Sequence, residues 1–452
     1  MKSINPATNQ VIKEYTPHSA AEAKRIVHAV DQDWQAWRKT TFAERAVMMH
    51  KASDILLADR DECAGIITAE MGKLLGEARG EVEKCALACR FYADNAEQLL
   101  RDEVIKTDFS RSFVTFEPIG VVLAVMPWNF PFWQVWRFIA PALMAGNAAV
   151  LKHASNVFGC AEKIEEVVRK AGFPENIFRS LLIPAREVES VIANPLVKAV
   201  TLTGSEAAGS KVAGIAGREL KKSVMELGGS DPFIVLEDAD LDDCVKAAVT
   251  SRTLNAGQVC VAAKRFIIVE SVAAEFEARM KEQMEALVVG DPMDEKSQMA
   301  PMARPDLLDE IHDQVERSIA QGGKLVTGGK RLDMPGNFYA PTVISGVKKG
   351  NPVYEEETFG PVAALITVKD EAEALAVAND TDFGLGGSVW TADGERGVSI
   401  ARQIDTGMVF VNSMVVSNPK LPFGGVKRSG FGREMADYGI KEFMNIKTIC
   451  VQ

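Results

Sequence analysis

The chain has 452 residues, of which 47% are hydrophobic and 25% charged, with a formal net charge of −11. That length and apolar content suit two large lobes with a small appendage and argue against disorder. The acidic balance, without any run of Lys and Arg, argues against nucleic acid and acidic membrane surfaces as partners.

Seven Cys lack the paired spacings of a zinc site or a disulfide framework, and Met1-Lys-Ser-Ile-Asn-Pro6 lacks an apolar signal core. Both features predict a reducing, cytoplasmic location and no bound metal. The first hundred residues, from Ala20 to about Leu100, show apolar spacing of helical period, as in Ala46, Met49, Ile55 and Leu56. Thr107 to Phe116 changes to a strand-like pattern. The apolar region Val121–Leu151 is broken by Pro127, Pro131, Arg137 and Pro141, so it predicts strand, loop and helix rather than a membrane span.

From Val121 onward short apolar strands alternate with helices. Strands are predicted at Val121–Val125, Ala148–Leu151, Ala199–Leu202 and Ser223–Met225, and helices at Phe132–Ala145, Phe158–Ala171 and Lys211–Ala216. A second alternating series, with strands at Phe233–Leu236, Arg265–Val269, Val362–Ile366 and Gly407–Val411, reaches about Gly425. Two series of this kind predict two α/β lobes built on parallel sheets. The isolated strand-like segments near Phe113 and Ile449 are predicted to pair outside both lobes.

Cys260, in Asn255-Ala-Gly-Gln-Val-Cys260, is a candidate nucleophile, and Glu226, in Met225-Glu-Leu-Gly-Gly229, is a candidate base for water. A buried structural thiol and a solvated carboxylate are the plainer readings. Asn129 lies between Pro127 and Pro131, where its amide can either meet an oxyanion or cap a helix. Lys152 ends a buried strand, either solvated or facing ribose hydroxyls. Thr203-Gly-Ser205 can receive a phosphate on helix-start amides or form an ordinary strand–helix turn. Phe359, beside Gly360-Pro361, can stiffen a loop over a ligand, while Glu357 belongs to an acidic run. Arg137 sits in an otherwise apolar helix with Trp133 and Trp136, so it either reaches solvent or awaits an anion.

Taken in order, Pro127-Trp-Asn-Phe-Pro131, Lys152-His-Ala-Ser155, Thr203-Gly-Ser205, Glu226-Leu-Gly-Gly229, Gly257-Gln-Val-Cys260, Glu357-Thr-Phe-Gly-Pro361 and Pro422-Phe-Gly-Gly425 resemble the NAD(P)-dependent aldehyde dehydrogenase superfamily over almost the whole chain. The resemblance implies an α/β fold with three parts. A Rossmann-like cofactor domain would span 1–108 and 121–229, a catalytic α/β domain 230–428, and a small β oligomerisation appendage 109–120 with 429–452. It implies Cys260 as nucleophile, Asn129 as oxyanion donor with the Cys260 backbone N–H, and Glu226 as the base for deacylation. Trp128, Asn129, Lys152, Ser155, Gly204, Ser205, Leu227, Glu357 and Phe359 would line the NAD or NADP site.

Arg137 falls where the succinate-semialdehyde branch of the family carries an Arg that grips a carboxylate, with Trp133 and Trp136 as an apolar wall. This implies oxidation of succinate semialdehyde or a similar short ω-carboxylate aldehyde by a homodimer or homotetramer. Dehydrogenases for short aliphatic aldehydes or aminoaldehydes, and a non-catalytic protein on the same scaffold, are the alternatives. Two departures bear on specificity. Leu254 stands where many of that branch have a second Arg. Ser155 replaces a Glu common in NAD-specific relatives, which predicts that NADP is accepted as well as NAD.

Overall fold

A computed structural model describes residues 1–452. A hairpin of Lys2–Ile4 and Val11–Glu14 opens the chain, followed by four helices, Ala20–Trp37, Phe42–Ala58, Arg60–Met71 and Leu75–Leu99. The second helix starts with a reciprocal capping box between Thr41 and Glu44, which satisfies amides that the first turn leaves free. No helix is long and apolar enough to cross a membrane.

The first lobe is a six-stranded sheet in the order Gly430–Phe431, Lys222–Glu226, Val197–Thr203, Val121–Met126, Ala148–His153 and Phe178–Ser180. All neighbours are parallel except Gly430–Phe431. These strands are near-continuous apolar runs because helices cover both faces. The second lobe is a seven-stranded sheet centred on Asp231–Val235, Ala263–Val269 and Val362–Val368, again parallel apart from its edge strand Lys324–Thr327. Alternate residues of Asp231–Val235 enter different cores. Phe233 and Val235 pack on one face and Ile234 on the other, as the two-residue period of a strand requires.

Arg111–Pro118 and Met444–Val451 pair antiparallel along their full lengths, with Glu103–Val104 added at the edge. The predicted early strand therefore starts later than Thr107, and Phe109 is exposed ahead of it. The last segment enters this small sheet at Met444, not at position 429. Gly430–Phe431 first returns to the cofactor-side sheet beside Met225 and Glu226. A Cβ at Gly430 would lie 1.9 Å from the Met225 carbonyl oxygen, so that return depends on a residue without a side chain. The predicted helix Lys211–Ala216 is longer, Glu206–Arg218, because Ser205 caps it by accepting from the Ala208 amide. The predicted strand Gly407–Val411 shrinks to Phe410–Val411. Gly407 instead packs backbone to backbone against Gly424.

Candidate active site

The two large sheets meet end to start. Strands Val121–Met126, Ala148–His153 and Val197–Thr203 run parallel in register, so Pro127, Lys152 and Gly204 emerge at one edge. The chain crosses from Glu226 into Asp231 and begins the second sheet. Cys260 and Phe359 lie just before the parallel strands Ala263–Val269 and Val362–Val368. The strand ends of one lobe thus face the strand starts of the other across a cleft of about 580 Å³. Trp128, Asn129, Gly204, Ser205, Leu227, Cys260, Glu357 and Phe359 all line it.

The loop before Cys260 is held in an unusual backbone conformation. Asn255, Ala256 and Gly257 have φ of 55°, 53° and 75°, the left-handed region that costs non-glycine residues energy. The strain is contained by a closed set of bonds. Asn255 Nδ2 donates to Asn129 O at 2.9 Å, and Asn129 Nδ2 donates to Gln258 O at 3.0 Å. Gln258 Oε1 accepts from Ala303 N, and Gln134 Nε2 donates to Asn129 Oδ1 at 2.9 Å. Arg252, fully buried, donates to Ala263 O at 3.0 Å and Gly257 O at 2.5 Å. It braces this loop rather than facing the cleft. A Cβ at Gly257 would lie 2.3 Å from the Gly360 oxygen, so glycine lets the Phe359 loop approach.

Cys260 is partly exposed to the cleft, while the Cys63, Cys85, Cys89, Cys160 and Cys244 thiols are sealed in the interior and Cys450 is exposed. Burial pushes the Cys260 thiol up to about 12, the Arg137 and Lys264 charges oppose the shift, and Glu226 and Glu357 add to it. A positive group brought beside the sulfur is what would release its proton. Asn129 Nδ2 carries a second hydrogen besides the one given to Gln258, so it can also face an oxyanion.

The cleft suits a dinucleotide. Gly204 and Ser205 present the start of helix Glu206–Arg218 to it, which favours a phosphate. A Cβ at Gly209 would overlap Leu227, so glycine brings that helix close to the cleft wall. Glu357 accepts from Gly229 N at 3.0 Å and pairs with Lys264 at 3.3 Å. Its carboxylate is fixed at the rim rather than loose in an acidic run. The Phe359 ring meets Trp128 edge to face at 5.9 Å. Lys152 and Ser155 sit at the same sheet edge but outside the main cavity wall. Lys152 is half-buried, with its ammonium pushed down by burial, and Ser155 is exposed. No group of His, Cys, Asp and Glu able to hold a metal ion occurs.

Behind Cys260 the structure differs from the sequence expectation. Arg137 does not wait free for an anion. It is buried, forms an ion pair with Glu434, and donates to Thr203 Oγ1 at 3.2 Å. Trp136 is fully buried in the core and forms no wall of the cleft, and Trp133 is almost as deeply buried. The apolar helix Trp133–Met144 is buried on every side, so an Arg on it needs an internal partner. Glu226 also lies off the cleft wall, where a Cβ on Gly424 would be 2.7 Å from its Oε1. Burial and the Glu434 charge hold its carboxyl well above the usual range, while Arg137 and Arg433 pull it back. Burial also raises Glu434, opposed by Arg137.

Sequence reasoning singled out neither Glu434 nor Gln134. Glu434 follows the Gly-rich loop with no pattern of its own, and only its pairing to Arg137 reveals it. Gln134 lies on the same helix as Arg137, and a polar side chain within that apolar stretch, five residues after Asn129, was the usable signal.

Two largely parallel sheets meeting end to start around a cleft-facing thiol define an α/β fold of the aldehyde-dehydrogenase type. The chain belongs to the aldehyde dehydrogenase family, whose model matches residues 1–449. It is 51% identical to a probable NADP(+) succinate-semialdehyde dehydrogenase of Synechocystis sp., covering 99% of both chains. It is 49% identical to the NADP(+) succinate-semialdehyde dehydrogenase of Mycobacterium avium, over 99% of this chain and 96% of that one. The crystal structure of succinic semialdehyde dehydrogenase from Streptococcus pyogenes with NADP+ superposes with a TM-score of 0.98 at 40% identity, covering 100% of this chain and 99% of that chain.

Proposed function

We propose that the protein oxidises succinate semialdehyde to succinate with NADP, and with NAD as an alternative acceptor. The observation that carries this reading is the partly exposed Cys260 on a strained loop locked to Asn129, where both sheets open on one cleft. The relatives named above support the substrate and the cofactor. The exposed Ser155 hydroxyl, in place of a carboxylate, leaves room for a ribose phosphate.

NADP+ held by Trp128, Gly204, Ser205, Glu357 and Phe359 would supply a hydride acceptor and a positive charge in the cleft that Cys260 faces. The Cys260 thiolate forms a C–S bond to the aldehyde carbon, and the carbonyl electrons move to oxygen. Asn129 Nδ2 and the Cys260 amide steady that oxyanion. Collapse of the oxyanion would expel hydride from the carbon to the oxidised nucleotide and leave a thioester on Cys260. Glu226 takes a proton from water, hydroxide displaces the sulfur, and succinate leaves. Burial and the Glu434 charge hold the Glu226 carboxyl above its ordinary range, which makes its ionised form a stronger base toward water.

The seven free thiols support a reducing, cytoplasmic setting. Exposed Val104, Ile446 and Val451 on the small sheet support a homodimer or homotetramer. A second reading, a dehydrogenase for neutral short aldehydes, is favoured by one observation: Arg137 is already paired with Glu434. The test is kcat/KM for succinate semialdehyde, butyraldehyde and 4-aminobutyraldehyde with each nucleotide, read by absorbance of the reduced cofactor. Succinate semialdehyde with NADP is expected to be fastest. Equal values for butyraldehyde would overturn the proposal.

A further inference from the structure

Lys84 lies midway along helix Leu75–Leu99, remote in sequence from every motif of the cleft. Its side chain is half-buried, and its ammonium lies 4.5 Å from the centre of the Trp133 ring. It donates to Ser417 Oγ at 2.5 Å. It has no carboxylate partner. Glu81, whose charge acts on it, is already engaged by Lys73 and by the Phe132 and Trp133 amides. Burial pushes the Lys84 ammonium down to about 8, and the neighbouring Arg137 and Lys73 charges push the same way. A desolvated cation beside another cation, without an anion, is unfavourable unless something else brings the charge.

The location says what could bring it. Arg137 acts electrostatically on both Lys84 and Cys260. The loop that receives Lys84 at Ser417 continues to Phe423, whose ring lies 4.7 Å from the Arg137 guanidinium, and to Gly424 against Glu226. Lys84, Trp133 and Ser417 are thus tied to the buried charges that surround the reactive sulfur on the side away from the cleft. A short aldehyde ending in a carboxylate would bring the missing charge there.

Resting on the reading that the substrate is an ω-carboxylate aldehyde, we propose that Lys84, oriented by Ser417, grips the distal carboxylate. It supplies the cation that Leu254 cannot supply and that Arg137, committed to Glu434, does not present alone.

The test measures KM and kcat for succinate semialdehyde and butyraldehyde in the wild type, Lys84→Met and Lys84→Arg. It also measures inhibition by succinate and by butyrate with butyraldehyde as substrate. Loss of a charge-assisted bond should raise KM for succinate semialdehyde about 10- to 100-fold, with a smaller change in kcat. Succinate inhibition should weaken in parallel, and the ratio of kcat/KM between the two aldehydes should fall. Lys84→Arg, which keeps the charge, should retain most of the preference. If Lys84→Met does not fold, Lys84→Gln carries the same expectation. Should both aldehydes lose activity equally, with succinate inhibition unchanged, Lys84 is only structural and the proposal fails. A wild type that does not prefer succinate semialdehyde overturns the underlying reading, and the role of Lys84 with it.

Discussion

The two sides of Cys260 are built on different physics. On the cleft side, position is set by backbone: strand ends in register, prolines around Asn129, left-handed residues before Cys260, and glycines where chains touch. On the far side, position is set by buried charges drawn from distant parts of the chain: Arg137 with Glu434, Glu226 beside them, and Lys84 on Ser417. The first arrangement fixes where a reacting atom can sit. The second fixes which groups hold protons, and small changes there alter both chemistry and stability.

The largest effect is expected from the base. Glu226→Gln should leave a burst of reduced cofactor but slow steady-state turnover by about 10²- to 10⁴-fold, as seen in rapid-mixing absorbance traces. The same variant should be more stable than wild type at neutral pH. A carboxyl whose folded-state pKa lies above its unfolded value favours folding below the unfolded value, about 4.3, and loses that contribution as pH rises through the folded value. A neutral amide escapes the loss. The melting-temperature gain should therefore be present at neutral pH and vanish in acid. A full turnover rate in this variant would remove Glu226 from the deacylation step.

Next comes the ion pair. Arg137→Ala leaves Glu434 buried without a counter-charge, so unfolding free energy should drop by about 3–5 kcal/mol, measured by urea denaturation. Pairing it with Glu434→Gln should recover much of that loss, because the stranded charge is gone. Strict additivity of the two substitutions would mean that the contact is not a working pair. This separates a structural role of Arg137 from selective recognition, since loss of recognition alone would change KM and leave unfolding untouched.

The same division explains what the sequence made legible. The strand–helix alternation and the pairing of the segments near Phe113 and Ile449 follow from local pattern, whereas the gathering of Asn129, Gly204, Ser205, Leu227, Cys260, Glu357 and Phe359 on one cleft was implied only by the family resemblance. Arg137 was visible as an anomaly, a charge on an apolar helix, but its partner was not. Glu434 lies near the other end of the chain, and no local spacing connects them. Lys84 was hidden for the opposite reason. A Lys on a helix of mixed polarity looks solvated until tertiary packing places a tryptophan and a distant serine over it. The hairpin at Lys2–Ile4 and the short strand Phe178–Ser180 escaped because three residues carry too little periodicity to register.

The smallest effect probes the cleft side. His153 is buried beneath the Asn129 loop. Its two ring nitrogens face backbone carbonyls, Nε2 at 2.9 Å from Pro131 O and Nδ1 at 3.2 Å from Met126 O. Burial lowers its pKa to about 4. The Pro131 and Met126 carbonyls oppose that shift, and the Lys152 charge adds to it. The unfolded chain therefore takes up a proton first as pH falls. Stability is intact above about 6.5 and declines from there toward about 4, by a total of about 3 kcal/mol. Urea denaturation of the wild type and of His153→Asn across this range isolates the contribution, since other titrating groups are common to both. The wild type's advantage should shrink steadily as the solution is acidified. A difference that stays constant with pH would mean that the ring takes up its proton equally in the folded and unfolded chains.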